Sequence, residues 1–457
     1  MITVEQAPFN FSGFRQRFTM VTATSTNIIE DGFRYKVIVT AAGRTLFTGY
    51  VPPNPNGALV FDLYPILNRL GTSYLASQNA SIHTVSNTSS VGFNEKYPTT
   101  TDPANNDTLD DEPVVVNLDE AWLVGGVLTD NPDIHSGALI TRLFYNRTRQ
   151  ASAGYRPNPN NDDLTGLGPF MTDRTPDTKR WQLASTYSIE DAGAIYIPTF
   201  STDSGIVSII YAGASTKSAL NIASYTATQV QITIFDSIGS PTSYAQSITS
   251  LQDGVIHLPL YPANIQASSL AGLSALKPNN NPNWRFYRIR LLTSGGSAAS
   301  SQIILYNAEL SNENDCRYDR VRLGWVNGDG GYDYSNFIKK SESSVEVERK
   351  EYETPLGNYG DVSDSVDFTF SQESRGITHT RPLVKQFITV NSDWMTAGEF
   401  ALLKNLIVST DVHKVNIGST GHVPVTIQDT TYIARDDRDG KLYNLTLKLR
   451  VAHNLWA

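Results

Sequence analysis

Cysteine is almost absent from this sequence, since Cys316 is the only one in 457 residues. A single cysteine excludes an internal disulfide framework, so the fold must be stabilised by apolar burial and hydrogen bonds. No stretch approaches the roughly 18 consecutive apolar residues of a membrane-spanning helix. The start of the chain, MITVEQAPFNF, has neither the basic segment nor the apolar core of a signal peptide. We therefore expect no secretion signal and no membrane insertion.

Positive charge is also in short supply, because 36 Lys and Arg stand against 45 Asp and Glu and the formal net charge is -9. No long basic run is present to gather phosphate contacts, which disfavours sequence-specific recognition of nucleic acid. An acidic surface is compatible with lining a channel through which DNA passes, because its negative charge repels the phosphates and keeps the DNA from adhering. Any contact with the passing DNA would be passive.

Signatures of the common catalytic sites are missing. The sequence has no G-x-S-x-G elbow, no Walker loop and no dinucleotide-binding fingerprint. Cys316 lies between Asp315 and Arg317 without a nucleophile motif, and we interpret it as structural. The histidines form no close-spaced ligand pair, which disfavours a zinc site. They are His83, His135, His257, His379, His413, His422 and His453. We therefore predict no catalytic, cofactor-binding or metal-binding residue, and no cofactor.

Carboxylates and glycines interleave in the segment NGDGGYD at 327–333, as they do in a calcium loop. Asp329 and Asp333 fit the pattern only loosely, no Glu closes the loop, and strands rather than helices flank it. We predict instead a strand at Val321–Val326, a glycine-rich turn and a return strand at Tyr332–Ile338.

Short alternating runs rich in Val, Ile, Tyr, Phe and Thr dominate the chain, and such runs are typical of strands. Two segments look like copies of one unit: Gly57–Pro65 (GALVFDLYP) and Gly254–Pro262 (GVIHLPLYP) each follow a strand, a turn and another strand. We predict a mainly β fold with several antiparallel β-sandwich modules of immunoglobulin or fibronectin type III kind. The clearest runs are Phe33–Thr40, Val230–Phe235, Trp284–Leu292, Gln302–Leu310, Val345–Tyr352 and Leu442–Val451.

The predicted organisation has four parts. Residues 1–125 form a first β-sandwich module, 126–180 a loop-rich connection and 181–312 a second module. Residues 313–457 form a C-terminal α+β domain in which one helix, 396–408, packs on a sheet. The sheet would include Val423–Ile427, Thr431–Ala434 and Leu442–Val451.

Local signals place the C-terminal helix. Thr396 and Glu399 have the spacing of a capping box, and Met395 and Phe400 that of a hydrophobic staple. The stripe predicted to lie on the sheet consists of Phe400, Leu403, Leu406 and Ile407. Aromatic residues are interpreted as packing groups rather than sugar-stacking platforms, in particular Trp325, Trp394 and Trp456.

Several segments resemble a known group of proteins. They are DCRYDRVRLGWVNGDGGYDYSNF with the following KKSESSVEVERKEY, then NSDWMTAGEFALLKNLIVSTDVHKV, VPVTIQD and KLYNLTLKL, and, near the start, FRYKVIVTAAGRTLFTGYVPPNPNGALVFDLYPIL. With these segments the chain resembles virion proteins of tailed bacteriophages of marine and Bacteroidetes hosts, including crAss-like phages.

The resemblance implies a structural component of the virion rather than an enzyme, most simply a tail or neck ring or a tail-hub (baseplate adaptor) protein. It would act through subunit contacts in a homo-oligomeric ring and with other neck, tail or baseplate proteins, after assembly in the host cytoplasm. Two alternatives stay open. One is a head or tail fibre component that binds a host glycan; the other is a tail-associated glycosidase, which requires two facing carboxylates.

Overall fold

The computed structural model of the chain is mainly β, with several antiparallel sheets and few helices, which confirms the predicted fold class. The structure describes residues 2–7, 11–13, 20–41, 44–70, 95–96, 114–130, 138–145, 170, 172, 174, 177–184, 187–211, 227–238, 241–248, 254–268, 271–310, 318–328, 331–353, 376–379, 382–392, 395, 397–409, 411–415, 422–428 and 444–452.

The first module packs two sheets and one short helix around a single core. Its elements are β1 Ile2–Gln6, β2 Phe11–Gly13, β3 Met20–Ser25, β4 Arg34–Ala41, β5 Arg44–Val51, β6 Leu59–Asp62, α1 Tyr64–Leu70, β8 Val114–Val124, β9 Val127–Asp130 and β10 Ala138–Tyr145. The larger sheet has the order β2-β10-β8-β4-β5, with β9 beside β8, and the smaller one the order β1-β3-β6. Buried residues of both sheets, such as Val37 and Ala23, belong to one cluster with Leu67 of the helix.

The second module has the same arrangement. Its elements are β11 Asp177–Ala184, β12 Tyr187–Thr199, β13 Val207–Tyr211, β14 Gln229–Asp236, β15 Pro241–Ser247, β16 Gly254–Leu258, α2 Pro262–Ala267, β17 Trp284–Leu292 and β18 Ala298–Asn307. The larger sheet has the order β11-β12-β18-β17-β14-β15. In the smaller sheet β16 pairs with β13 and with β7, a two-residue strand at Glu95–Lys96.

The two modules share one topology, and this agrees with the sequence repeat. In chain order, β2-β3-β4-β5-β6-α1-β8-β10 corresponds to β12-β13-β14-β15-β16-α2-β17-β18. The parallel pair in each larger sheet also corresponds, because β10 pairs with β2 and β18 with β12. The shared Tyr-Pro dipeptides, at Tyr64 and Tyr261, mark the start of the short helix in both copies.

Alternation of side chains explains how each sheet faces its core. In β17 the residues Tyr287, Ile289 and Leu291 are buried in the core of the second module, and Arg288 and Arg290 between them are only half-buried. Successive side chains of a strand point to opposite faces, so the apolar set lies toward the smaller sheet.

The C-terminal domain is a seven-stranded sheet with one helix. Its elements are β19 Val321–Val326, β20 Tyr332–Phe337, β21 Glu342–Glu348, β22 Glu351–Glu353, β23 Ile377–His379, β24 Leu383–Asn391, α3 Ala397–Val408, β25 Val412–Val415, β26 His422–Ile427 and β27 Thr446–Val451. The order is β20-β19-β25-β26-β27-β24-β21, and β22 pairs separately with β23. The predicted strand Thr431–Ala434 lies outside the described residues.

The predicted helix is present as α3, and it packs on this sheet. Phe400, Leu403 and Leu406 are buried in one cluster with strand residues such as Val390 and Leu449. Ile407 is partly buried against the same cluster, so the predicted stripe is confirmed. Thr396 lies outside the described residues, and its capping role stays a prediction.

Candidate functional site

The glycine-rich segment at 327–333 joins the two strands of a β-hairpin. β19 and β20 pair antiparallel along their whole length, which confirms the predicted strand, turn and return strand. Asp333 is buried, and its carboxylate accepts hydrogen bonds from Thr172 Oγ1 at 2.6 Å and from Asn327 Nδ2 at 3.0 Å. Its oxygens therefore attach the hairpin to the chain around residue 172. Asp329 lies outside the described residues.

A buried ion network joins the second module to the C-terminal domain, with Asp203 at its centre. Asp203 follows β12 and has no exposed surface. Its Oδ2 accepts hydrogen bonds from Arg322 Nη1 at 3.0 Å, from Asn336 Nδ2 at 2.7 Å and from the Phe200 N–H at 3.1 Å. Its Oδ1 lies 3.2 Å from Arg320 Nη2. A buried carboxylate persists only when it is paired and hydrogen-bonded, so this network requires the two domains to stay together.

Arg322 is the cation of this network, and aromatic rings enclose it. Its Nε donates to the Ser204 carbonyl at 2.9 Å. Its guanidinium carbon lies 4.9 Å from the ring centre of Tyr261 and 4.8 Å from that of Tyr334, which is cation–π distance. The Tyr334 hydroxyl accepts a hydrogen bond from the Ile206 N–H at 3.2 Å. Arg322 and Tyr334 thus both contact the segment that links β12 to β13.

The close approach of Tyr334 depends on a glycine. A Cβ added at Gly324 would lie 2.7 Å from the Tyr334 ring, closer than carbon atoms can pack. Tyr334 belongs to the main apolar cluster of the second module, together with Val326, Tyr332 and Val415 of the C-terminal domain. The two domains therefore share one continuous core, and the junction holds them in a fixed relative orientation.

A second group of buried titratable side chains lies on β25 and β26. His413 Nδ1 is 3.1 Å from Asp411 Oδ1, and the rings of His413 and His422 meet edge to face at 4.6 Å. Burial lowers the pKa of His413 to about 4, and the neighbouring His422 adds to this effect. Burial raises the pKa of Asp411 to about 7 against a hydrogen bond from Tyr332, and it lowers the pKa of His422.

These pKa shifts have opposite consequences for stability. Between pH 6.5 and about 4 the unfolded chain protonates His413 and the folded chain does not, so this group makes stability rise with pH. Between pH 3.8 and about 7 the folded chain keeps Asp411 protonated and the unfolded chain does not, so this group makes stability fall with pH. Between about pH 4 and 6.5 these two groups together bind one proton in each state, on Asp411 in the folded chain and on His413 in the unfolded chain, so the two effects largely cancel.

Trp325 and His379, which the sequence also singled out, differ in exposure. Trp325 is fully buried, as predicted for a packing residue, and His379 is exposed with Nδ1 3.6 Å from Glu351 Oε1. No group of three His, Cys, Asp or Glu side chains suited to a metal ion is found in the described part of the chain. No described helix is long and apolar enough to cross a membrane. Outside the described residues lie Cys316, His83, His135, His453, Trp394 and Trp456, together with the side chain of His257.

A two-stranded ribbon at the edge of the C-terminal sheet is exposed to solvent. β21 pairs with β24, so that Glu348 lies opposite Leu383. β22 continues the ribbon against β23, so that Glu351 lies opposite His379. Every residue of β21 and β22 is exposed, and no other described strand pairs with the outer edge of β21.

The ribbon exposes large apolar side chains as well as charges. Val345 is 58 % exposed, Ile377 60 % and Tyr352 48 %, and Val347 and Leu383 are also exposed. On β21 these valines alternate with glutamates, and the Glu346 and Glu348 carboxylates lie 3.9 and 3.4 Å from Lys385 Nζ. Apolar side chains concentrated on one exposed element are typical of an interaction surface.

Sequence reasoning located the hairpin but missed its partners. The pairing of Arg322 with Asp203 spans 119 residues, and no local pattern links the two. One signal was present: Arg322 lies within the apolar run VRLGWV, where a charge needs a buried counter-charge. The ribbon was predicted as a strand at Val345–Tyr352, but its exposure on both faces depends on which strands surround it.

Comparisons with known proteins do not identify a family. No protein-family model matches the sequence, and no curated protein matches it significantly. Among solved structures, the chain is similar to alpha-2-macroglobulin of E. coli in its native conformation, with 8% sequence identity and a TM-score of 0.19. The match covers 87% of this chain and 22% of that chain.

Proposed function

We propose that the protein is a structural component of a tailed-phage virion, a tail or neck ring or tail-hub (baseplate adaptor) protein that acts through contacts between subunits. It has no enzymatic activity in this proposal, and its site of action is the assembled particle. The sequence resemblance suggests the setting. The observation that carries the mode of action is the exposed ribbon formed by β21 to β24.

The ribbon is suited to contact a second copy of the chain. An edge strand presents unpaired backbone N–H and C=O groups, and addition of a strand from a neighbour satisfies them. A two-stranded ribbon is marginally stable alone in water, so one exposed on both faces gains from a partner. Val345 and Val347 would then be covered by the neighbouring subunit, while Glu346 and Glu348 select for basic or amide groups opposite them.

The junction supports the same proposal. The shared core and the Asp203 network hold the ribbon in a fixed orientation relative to the second module. A rigid subunit whose ribbon binds a different surface of its neighbour can repeat around an axis, and a closed ring results when the rotation between neighbours closes. Carboxylates on the surface that faces the axis would keep DNA from adhering during passage.

The test compares the native chain with a ribbon variant, Val345→Lys with Val347→Lys, by analytical ultracentrifugation alone and with neck or tail partners. We expect the native chain to form closed oligomers and the variant to shift toward the monomer, because lysine on an edge opposes strand addition. The matched control is Val124→Lys with Val127→Lys, since these valines are 55 % and 66 % exposed on the hairpin of β8 and β9. It should assemble like the native chain.

Two results would contradict the proposal. One is a native chain that stays monomeric with every neck and tail partner, and the other is a ribbon variant that assembles normally. Imaging of virions at residue-level detail tests the position: a ring on the tail axis with an acidic lumen is expected, and peripheral fibres would exclude it.

A further inference from the structure

The exposed ribbon needs a surface that receives it, and the edge strands of the described sheets are the candidates. An edge strand offers unpaired backbone N–H and C=O groups to a strand from a neighbour. In a closed ring the ribbon of one subunit binds a different surface of the next subunit. The receiving edge therefore belongs to another sheet of the same chain.

Most edge strands of the described sheets carry a feature that opposes strand addition. β2, β6, β7, β9, β22 and β23 have only two to four residues. Register shifts interrupt the pairing of β1, β5 and β11. Phe170 bridges to Ile209 of β13, and most residues of β20 are buried. Short length, irregular pairing and coverage all protect an edge from further pairing.

β15, at the edge of the larger sheet of the second module, lacks these features. It pairs with β14 over seven residues, Pro241–Ser247, without a register shift. It has no charged residue, and its proline stands at the first position of the strand. Among the described residues, no second strand pairs with β15 and no other segment forms backbone hydrogen bonds with it. A long, regular and uncharged edge is a template for strand addition.

The outer strand of the ribbon, β21, matches β15 in length and complements it in charge. β21 also has seven residues in regular register with its neighbour β24. Antiparallel pairing of β21 with its own copy, centred on Val345, would place Glu342 opposite Glu348 at both ends. Like charges directly opposite each other destabilise a strand pair. β15 has no carboxylate, and its hydroxyl groups can donate hydrogen bonds to the glutamates of β21.

The two strands also have similar faces. On β15, Ser243 and Ser247 are exposed on one face, and Tyr244 on the other face packs against the core of the second module. On β21, Val345 and Val347 alternate with glutamates. Because side chains alternate between the faces of a sheet, an added β21 can place its valines on the side of Tyr244 and its glutamates beside the serines.

We propose that β21 of one subunit pairs with β15 of the next subunit, so that the larger sheet of the second module continues into the C-terminal sheet of its neighbour. This assignment rests on the proposed function, because it names the surface that receives the ribbon. Each subunit gives one β21 and receives another at β15, so the contact is heterologous and repeats around an axis.

Added charge on β15 tests the pairing in the full chain. Ser243→Glu with Ser247→Glu places carboxylates beside those of Glu346 and Glu348 of the neighbour. We expect the concentration for half-assembly, measured by analytical ultracentrifugation, to rise about tenfold or more, since like charges on adjacent strands oppose pairing. Further substitution of Glu346→Lys with Glu348→Lys in the same chain should restore assembly, because the charges are then opposite.

The matched control carries the same charges on a different edge. Thr45 and Thr48 are exposed hydroxyl residues of β5, the edge strand of the first module. Thr45→Glu with Thr48→Glu should assemble like the native chain.

Disulfide formation gives a second test that does not depend on charge. In a Cys316→Ser background, Glu346→Cys is combined in turn with Ser243→Cys, Ala245→Cys and Ser247→Cys, which lie on one exposed face of β15. A disulfide requires Cβ atoms about 4.5 Å apart or less, so the three positions sample alternative registers. At least one double variant should give a ladder of covalent oligomers on oxidation, because each subunit then provides both halves of the bond. Each single cysteine should give none.

Three results would overturn the proposal, and they separate it from the proposed function. If Val345→Lys with Val347→Lys dissociates the oligomer but Ser243→Glu with Ser247→Glu does not, the ribbon binds another surface and the proposed function stands. A covalent dimer from Glu346→Cys alone, with no ladder from the double variants, would mean that two ribbons meet across a two-fold axis. A native chain that stays monomeric with every neck and tail partner would contradict both.

Discussion

Replacement of Asp203 by Asn should destabilise the protein more than any change at an exposed ion pair. The substitution keeps the shape of the side chain and removes its charge. It leaves Arg322, which is 1 % exposed, in the core without a counter-charge. It also places an N–H₂ group where the carboxylate accepted bonds from Arg322 and Asn336.

The expected size follows from this burial. Breaking a buried ion pair by removing one partner costs about 3–5 kcal/mol, because the remaining charge stays desolvated. The change Arg322→Met should cost less, since Asp203 keeps Arg320, Asn336 and the Phe200 N–H. The two changes share one network, so their effects should fail to add by about 0.5–3 kcal/mol.

Urea denaturation followed by tryptophan fluorescence measures these free energies of unfolding without screening the charges. The control is Asp130→Asn, which breaks the pair with Lys36 at a site where the aspartate is 40 % exposed. An exposed pair contributes about 1 kcal/mol or less. The reasoning is refuted if Asp203→Asn costs no more than this control, or if the changes at Asp203 and Arg322 prove additive.

The remaining predictions concern the C-terminal domain. Asp411→Asn should expose the acid sensitivity of His413: the free energy of unfolding should fall by about 1 kcal/mol per unit as pH decreases from 6.5 toward 4, while the native chain stays nearly flat. Urea titrations at several pH values measure this, and an equally flat variant would contradict the cancellation between Asp411 and His413. Leu403→Ala should cost about 2–5 kcal/mol through lost burial and a cavity. Val408→Ala, at a position 76 % exposed, should change stability by less than about 0.5 kcal/mol, and equal small effects would mean that α3 is not packed on the sheet.

Local patterns in the sequence predicted several strands and the C-terminal helix, but not the short helices α1 and α2. They also placed β9 and β10 in a loop-rich connection at 126–180, whereas both strands belong to the larger sheet of the first module. Strand β17 and helix α3 were both identified, because alternation and helical periodicity are properties of neighbouring residues. The repeat of Gly57–Pro65 at Gly254–Pro262 indicated two related modules, and both segments form a strand followed by a short helix. The sequence pattern did not predict the strand order that the sheets of the two modules share, because strand pairing depends on contacts between residues distant in sequence.

The candidate site likewise combines features that a single segment determines with features that depend on tertiary contacts. The sequence by itself determined which segments become strands and which faces are apolar, because those properties depend on the side chains of one segment. Only the tertiary structure decided that Arg322 meets Asp203, and that β15 and β21 have no neighbour on their outer edges among the described strands. Burial of a charge and exposure of an edge each depend on elements brought together by packing, and periodicity along one strand carries no information about them.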